Sequence, residues 1–383
     1  MKSIATHQPA PYFHRLDALR FVCFFLVFGY HSFYTQNPEI SAHPFYLFVK
    51  KGVFGNGNLG VNFFFVLSGF LITYLLALEK KQLNTLRIGS FYMRRILRIW
   101  PLFFFCVAFG FLAFPLLKTW FGLASEETAH WWSFMLFMNN FDMLWYGAPD
   151  SSVLSVLWSI AVEEQFYLVW PICLLLIPNK KWDLFFVLVV ASSCAFRYFV
   201  PGYETEEIHT LSCMGDFAIG ALASHALAKH KFDHYFSQAR LVLPLLLFFS
   251  ITMVVLFRFE LLRQTTFSIA IERVVIGVLA AAWILHFCFA NQYLFRWADI
   301  PILQRLGRIS YGLYCLHFIG ILITLQLTAY FSLNTELWHV LLVEFVVSFL
   351  VTWLLAELSF FFLEKPFLIL KNKFTPKATP PPH

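Results

Sequence analysis

Charge is what this sequence has least of. Acidic and basic residues together fill 13% of its 383 positions, about half the share usual in soluble domains. Hydrophobic residues fill 59%, and phenylalanine alone occurs 49 times. That is more apolar surface than a soluble core of this length can hide. The seven cysteines stand singly, mostly inside apolar runs, which argues against a disulfide framework or a paired-cysteine metal site; no metal is expected. There is no Gly-x-Ser-x-Gly elbow for a serine nucleophile. No strand–turn–helix setting accompanies the glycines to make a phosphate loop. No internal repeat or separate soluble domain is evident. The first apolar run lacks a small-residue cleavage site, so it reads as a retained helix and not a signal peptide.

What the sequence has in abundance is long apolar runs. Each is long enough to cross a hydrocarbon layer about 30 Å thick. Ten spans are expected, near 18–35, 59–78, 97–117, 153–177, 183–200, 208–228, 241–258, 270–290, 309–331 and 338–363. Backbone groups in lipid must be satisfied within a helix or a closed barrel. Continuous runs, not alternating strands of about ten residues, select helices. The fold class is therefore all-α: a polytopic integral membrane bundle of about ten transmembrane helices.

Lysine and arginine set its orientation. Segment 79–98 carries Lys80, Lys81, Arg87, Arg94, Arg95 and Arg98. Further basic connections hold Lys180 and Lys181; Lys229, Lys231 and Arg240; Arg296, Arg305 and Arg308; and Lys365, Lys371, Lys373 and Lys377. The connections 119–152 and 201–209 have neither. Alternation across ten spans places both termini in the cytoplasm, against the exceptions Lys50, Lys51, Arg258 and Arg263. The net charge of +6 is thus a topology signal, and nucleic acid is a poor partner for it. Residues 1–367 form one membrane domain. Residues 368–383 form a basic, Pro-rich tail expected to be disordered. Within 119–152, "HWWSFMLFMNN" is expected at the membrane interface.

Ionisable groups inside spans mark where function is sought first. Arg20 and His31 stand eleven positions apart, which returns them to nearly one helix face about 16 Å apart along the axis. A lone histidine in a span is more often a hydrogen-bonded core residue; the shared face with Arg20 argues for more. Asn62 and Ser68 follow Gly55, Gly57 and Gly60 in the second span, and the glycines read chiefly as close packing. Arg94, Arg95 and Arg98 share one side of a helix entrance. Such a belt is commonly a topology anchor, yet clustered guanidiniums also suit bidentate phosphate binding. Glu163 and Glu164 lie about 15 Å into their span and point about 100° apart. Ser159, Glu163 and Tyr167, spaced by four, form one polar stripe. A carboxylate there must be protonated, wet or paired, and a structural ion pair with an arginine is the plainer reading. His317 lies about 13 Å into the ninth span. Glu272 and Arg273 in the eighth are weaker candidates, explicable as charge balance.

Five stretches resemble, in order, the motifs of the membrane acyltransferase 3 family, which includes bacterial O-acetyltransferases of surface polysaccharides. They are "LDALR" with its histidine eleven residues after the arginine, "GVNFFFVLSGFLI", "RRILRIWPL", "LWSIAVEEQFYLVWP" and "LGRISYGLYCLH", extending over 15–317. The resemblance implies transfer of an acyl group, usually acetyl, from cytoplasmic acyl-coenzyme A to a hydroxyl of a glycan or lipid, in a bacterial inner membrane. The family's activity-linked histidine falls on His31 and its Arg-x-x-Arg motif on Arg95 and Arg98. Arg20 and Glu163 match further motif positions. Arg20, Arg94, Arg95 and Arg98 are then expected to bind the acetyl-coenzyme A donor, with His31 and Glu163 catalytic. Asn62, Ser68, Ser159, Glu164, Tyr167 and His317 are candidates for the cavity wall. Glu163 is expected to orient His31, His317 or an arginine. His31 suits either direct activation of an acceptor hydroxyl or a covalent acyl-histidine relay. The family often carries a hydrolase-like domain after the membrane part, and none is expected in these residues. The rival reading from another class is a transporter or flippase of lipid-linked saccharides, which buried charges fit equally.

Overall fold

The computed structural model describes residues 13–229, 242–289 and 293–374. Lys231, Arg240, Lys377 and the stretch beyond 374 lie outside them. Among the described residues the chain is helical throughout, with no strand. Ten long helices run in sequence: α1 (Arg15–His31), α2 (Leu59–Leu83), α3 (Ile88–Ala108), α4 (Trp158–Leu176), α5 (Trp182–Phe199), α6 (Thr210–Lys229), α7 (Val242–Leu262), α8 (Thr266–Phe289), α9 (Ser310–Tyr330) and α10 (Phe345–Ser359). Eight helical segments are long and apolar enough to cross a membrane. The two expected spans not among them correspond to α1 and α6. With 17 residues, α1 is about 26 Å long, short of a full bilayer core. The chain is an integral membrane protein, and its surface shows it. Leu116, Leu176, Phe248, Leu354 and Phe362 are each more than half exposed. Apolar patches on that scale are not left to water in a soluble monomer.

Several boundaries differ from expectation for local reasons. Helix α3 begins at Ile88, nine residues before the expected span at 97, because Arg94, Arg95 and Arg98 are helical despite their charge. Hydropathy reads them as loop. Helix α1 ends at His31, and the chain turns at Phe33 with φ of 64°. The expected boundary at 367/368 falls within the helix Lys365–Lys371, and a further turn reaches Phe374. In connection 119–152, two short helices, Trp131–Met135 and Asn139–Tyr146, leave Trp131 and Trp132 exposed while Asn139, Asn140 and Asp142 are buried.

Glycine decides how tightly the centre packs. A Cβ on Gly69 would lie 2.0 Å from the Phe217 carbonyl oxygen, and one on Gly220 would lie 1.9 Å from that of Val66. Helices α2 and α6 therefore touch backbone to backbone. Gly57 and Gly60 meet the Leu26 and Cys23 carbonyls of α1 at 2.1 and 2.3 Å in the same sense. The close-packing reading of these glycines holds.

Candidate active site

Two cavities open between these helices. The first, of about 310 Å³, is lined by Arg20, Ser68, Arg95, Arg98, Glu163 and Tyr167, among others. The second, of about 330 Å³, is lined by His31, Asn62, Trp158, Tyr203, Glu207 and Arg273, among others. We call them the arginine cavity and the histidine cavity. Arg20 and His31, eleven residues apart on α1, thus face different cavities at different depths.

The arginine cavity gathers three guanidiniums from two helices. Arg20 donates to Asp17 at 2.8 Å. Arg95 is stacked by its neighbours, its guanidinium 5.5 Å from the Phe91 ring centre and 5.4 Å from that of Tyr167. Its buried Nε has no hydrogen-bond partner among the described residues. Arg98 makes no hydrogen bond or ion pair among them either. A buried guanidinium donor is ordinarily satisfied, so Arg95, with the half-buried Arg98 beside it, fits a ligand that brings acceptor oxygens. Arg94 is different. It pairs with Glu79 at 3.3 Å and donates to the Phe374 carbonyl at 2.9 Å, and it does not line the cavity.

The two acids of α4 part company as their angle requires. Glu163 lines the arginine cavity and accepts short hydrogen bonds from the Ser68 and Tyr167 hydroxyls. Glu164 lines neither cavity. It accepts from the Trp100 indole at 3.0 Å, and its other oxygen is buried without a partner. Of the alternatives expected for Glu163, orienting His31 or His317 has no hydrogen bond behind it among the described residues, and an arginine is met only indirectly. None of its hydrogen bonds reaches a histidine or an arginine, because Ser68 and Tyr167 occupy the same wall. Its link to Arg95 runs through the Tyr167 ring.

His31 lines the histidine cavity, and His317, a cavity-wall candidate from the sequence, lines neither cavity but stands fully buried behind His31. The Nδ1 of His317 lies 2.6 Å from the Tyr314 carbonyl, and its Nε2 lies 3.0 Å from His31 Nδ1. A carbonyl only accepts, so His317 Nδ1 carries the proton. With both rings neutral, His317 Nε2 must then accept from His31 Nδ1–H. The lone pair left over is on His31 Nε2. Phe318 holds the pair from one side, its ring 4.7 Å from His31 and 4.6 Å from His317. His317 thus fixes the tautomer of His31.

Behind the cavity stands a charged cluster that the sequence reading largely passed over. Arg258 pairs with Glu207 and Glu272 through short contacts. Arg263 pairs with Glu272 at 2.6 Å and Glu206 at 2.5 Å. Arg273 pairs with Asp216 at 2.5 Å, and Asp216 also accepts from Asn62 at 3.2 Å. Burial alone would raise the Glu207 carboxyl, but the nearby Arg258 and Arg273 outweigh it and hold it below its ordinary range. Arg258 and Arg263, two exceptions to the basic-loop alternation, are therefore neutralised in place. Asp216 could have been found by the same search that found Glu163, since it too is an acid in an apolar run. Tyr314 could not, because a tyrosine in a span carries no signal of its own.

The comparisons with known proteins converge on one family. A family described as an acyltransferase domain matches residues 13–357. A peptidoglycan O-acetyltransferase, OatA, of Listeria monocytogenes is 26% identical over 387 residues, covering 96% of this chain and 57% of the relative. A putative peptidoglycan O-acetyltransferase, YrhL, of Bacillus subtilis is 30% identical over 332 residues, covering 81% and 50%. A putative O-acetyltransferase of Staphylococcus aureus is 23% identical, covering 96% and 59%. The chain thus spans about half to three fifths of the length of these curated relatives. No solved structure matches. The match over nearly the whole described chain, on helices that place the five motifs around two adjoining cavities, shows that this protein belongs to the acyltransferase 3 family.

Proposed function

We propose that this chain transfers an acyl group, acetyl first of all, from acyl-coenzyme A in the arginine cavity to a hydroxyl of a glycan or lipid-linked saccharide in the histidine cavity. The observation that carries the reading is the pairing of two cavities: unpartnered guanidiniums line one, and a tautomer-fixed histidine lines the other. Coenzyme A phosphates supply the acceptor oxygens that Arg95 and Arg98 lack, with Arg20 completing the cluster. Glu163 positions Arg95 through Tyr167. His31 Nε2 takes the proton of the acceptor hydroxyl, whose oxygen attacks the thioester carbon. The carbon–sulfur bond breaks, and the coenzyme A thiolate leaves and regains a proton. General-base catalysis of this kind contributes roughly 10²–10⁴-fold.

In this reading the ten helices cross a bacterial inner membrane with both termini and the basic segment 79–98 in the cytoplasm, which brings the donor to the arginine cavity from inside. The neutralised Arg258 and Arg263 support that orientation. The test is purified chain in liposomes with labelled acetyl-coenzyme A and a saccharide acceptor. Label should appear on the acceptor in step with released coenzyme A. Label retained on the protein when acceptor is withheld would indicate the acyl-histidine route. Movement of lipid-linked saccharide without any need for acyl-coenzyme A would instead favour the flippase. Mass spectrometry of surface glycans, with and without the gene, identifies the acceptor through a lost acyl mass.

A further inference from the structure

The two cavities share one stretch of wall, here called the neck, where two side chains, Val61 and Tyr314, line both. Both are buried. Val61 stands on α2, and its branched Cβ gives it one strongly preferred rotamer in a helix. Tyr314 stands opposite on α9 and is latched. Its hydroxyl shares a 2.7 Å hydrogen bond with Ser159 and lies 3.2 Å from the Val156 carbonyl, to which it donates. Its ring meets Phe64 edge-on at 6.3 Å. Its own backbone carbonyl orients His317, and through it His31. One residue therefore both closes the neck and sets the base beyond it.

From this arrangement we infer that Tyr314, with Val61 across from it, determines which acyl groups are transferred. The inference rests on the donor reading above. A thioester held by its phosphates in the arginine cavity presents only its acyl end to the neck. A phenol ring on one side and an isopropyl group on the other admit a methyl group, while each further methylene has to displace the latched ring. Tyr314 is a specificity-determining residue in this account and takes no proton in the reaction.

Calorimetry on the full chain with S-ethyl, S-butyl and S-hexyl coenzyme A thioethers tests this without catalysis. Wild type should show affinity that does not rise with chain length, and Tyr314→Phe, which keeps the ring but loses its latch, should fall between wild type and Tyr314→Ala. Tyr314→Ala, and independently Val61→Ala, should gain about fourfold per added methylene as the chain enters the histidine cavity. The butanoyl-to-acetyl ratio of kcat/KM should rise in parallel. If Tyr314→Ala does not fold, Val61→Ala carries the comparison from the other wall. A wild-type length dependence in the folded small variants overturns the filter alone. Failure of wild type to bind any of the thioethers overturns the donor reading and the filter with it.

Discussion

At the scale of single residues, His31 and the arginines line different cavities, and substitutions separate the roles proposed for them. His31→Gln keeps hydrogen bonding but offers no base near neutral pH. It should lower kcat by roughly 10²–10⁴-fold, with acyl-coenzyme A affinity and melting temperature near wild type. A satisfied core histidine would show the reverse, a lower melting temperature with turnover largely kept. His317→Phe should lower kcat without raising KM, since it removes the acceptor that fixes the His31 tautomer and touches no donor. In the other cavity, Arg95→Ala or Arg98→Ala should weaken acyl-coenzyme A binding by about 10–100-fold, the worth of a hydrogen bond to a charged group. Lysine should restore only part, having no bidentate fork. Arg94→Ala should leave binding nearly unchanged and lower the melting temperature, because its partners are Glu79 and the Phe374 carbonyl. Glu163→Gln should depress turnover more than Glu164→Gln. Only Glu163 lines a cavity, and equal losses in folded protein would show that the choice between the acids was wrong.

At the scale of elements, the contact between α2 and α6 is set by the absence of side chains. Gly220→Ala puts a methyl group where a carbonyl oxygen stands at 1.9 Å. Overpacking of this kind costs about 1–3 kcal/mol, so the melting temperature should fall. Gly89→Ala is the control: nothing lies within 4 Å of its added Cβ, and the change should be neutral or slightly stabilising. Ionic pairing dominates elsewhere. Arg258→Met leaves Glu207 and Glu272 without their shared partner, and breaking a buried pair from one side costs about 3–5 kcal/mol. Linkage gives the pH sign. The Glu207 carboxyl is lower in the folded chain than its ordinary value near 4.5. Its contribution is complete above that value and is lost as pH falls through the lower folded one. Thermal melts should therefore weaken on acidification below about pH 4, and less so in Glu207→Gln.

At the scale of the whole molecule, the proposed transfer takes its donor from the cytoplasmic side, so it rests on the ten-span topology. Thiol or reporter tags at residue 1 and residue 383 should both map to the cytoplasmic side, and a tag within 119–152 to the opposite one. A split between the termini would reject the ten-span topology. The apolar runs, the basic asymmetry and the buried ionisable residues needed no coordinates to be seen, because crossing lipid imposes length, composition and charge rules on each segment separately. Those local rules identified the all-helical membrane fold and several of the polar residues that line the cavities, among them His31, Arg95 and Glu163.

They could not assign each residue to its cavity. Arg94 and Arg95 are neighbours in sequence, yet one binds Glu79 and the Phe374 carbonyl and the other faces a cavity; helix rotation against its neighbours made that choice. Glu163 lost its expected histidine partner to Ser68 of α2, and His31 gained one from α9, 286 positions away. Tyr314 carries no charge and breaks no hydropathy pattern, so its place at the neck exists only once α2, α4 and α9 converge. The sequence by itself determined that the chain is a bundle of membrane helices and which polar residues stand within its apolar runs, since the cost of burial falls on each residue alone. Only the tertiary structure decided which of those residues meet, because a hydrogen bond or a shared cavity wall belongs to pairs that packing brings together.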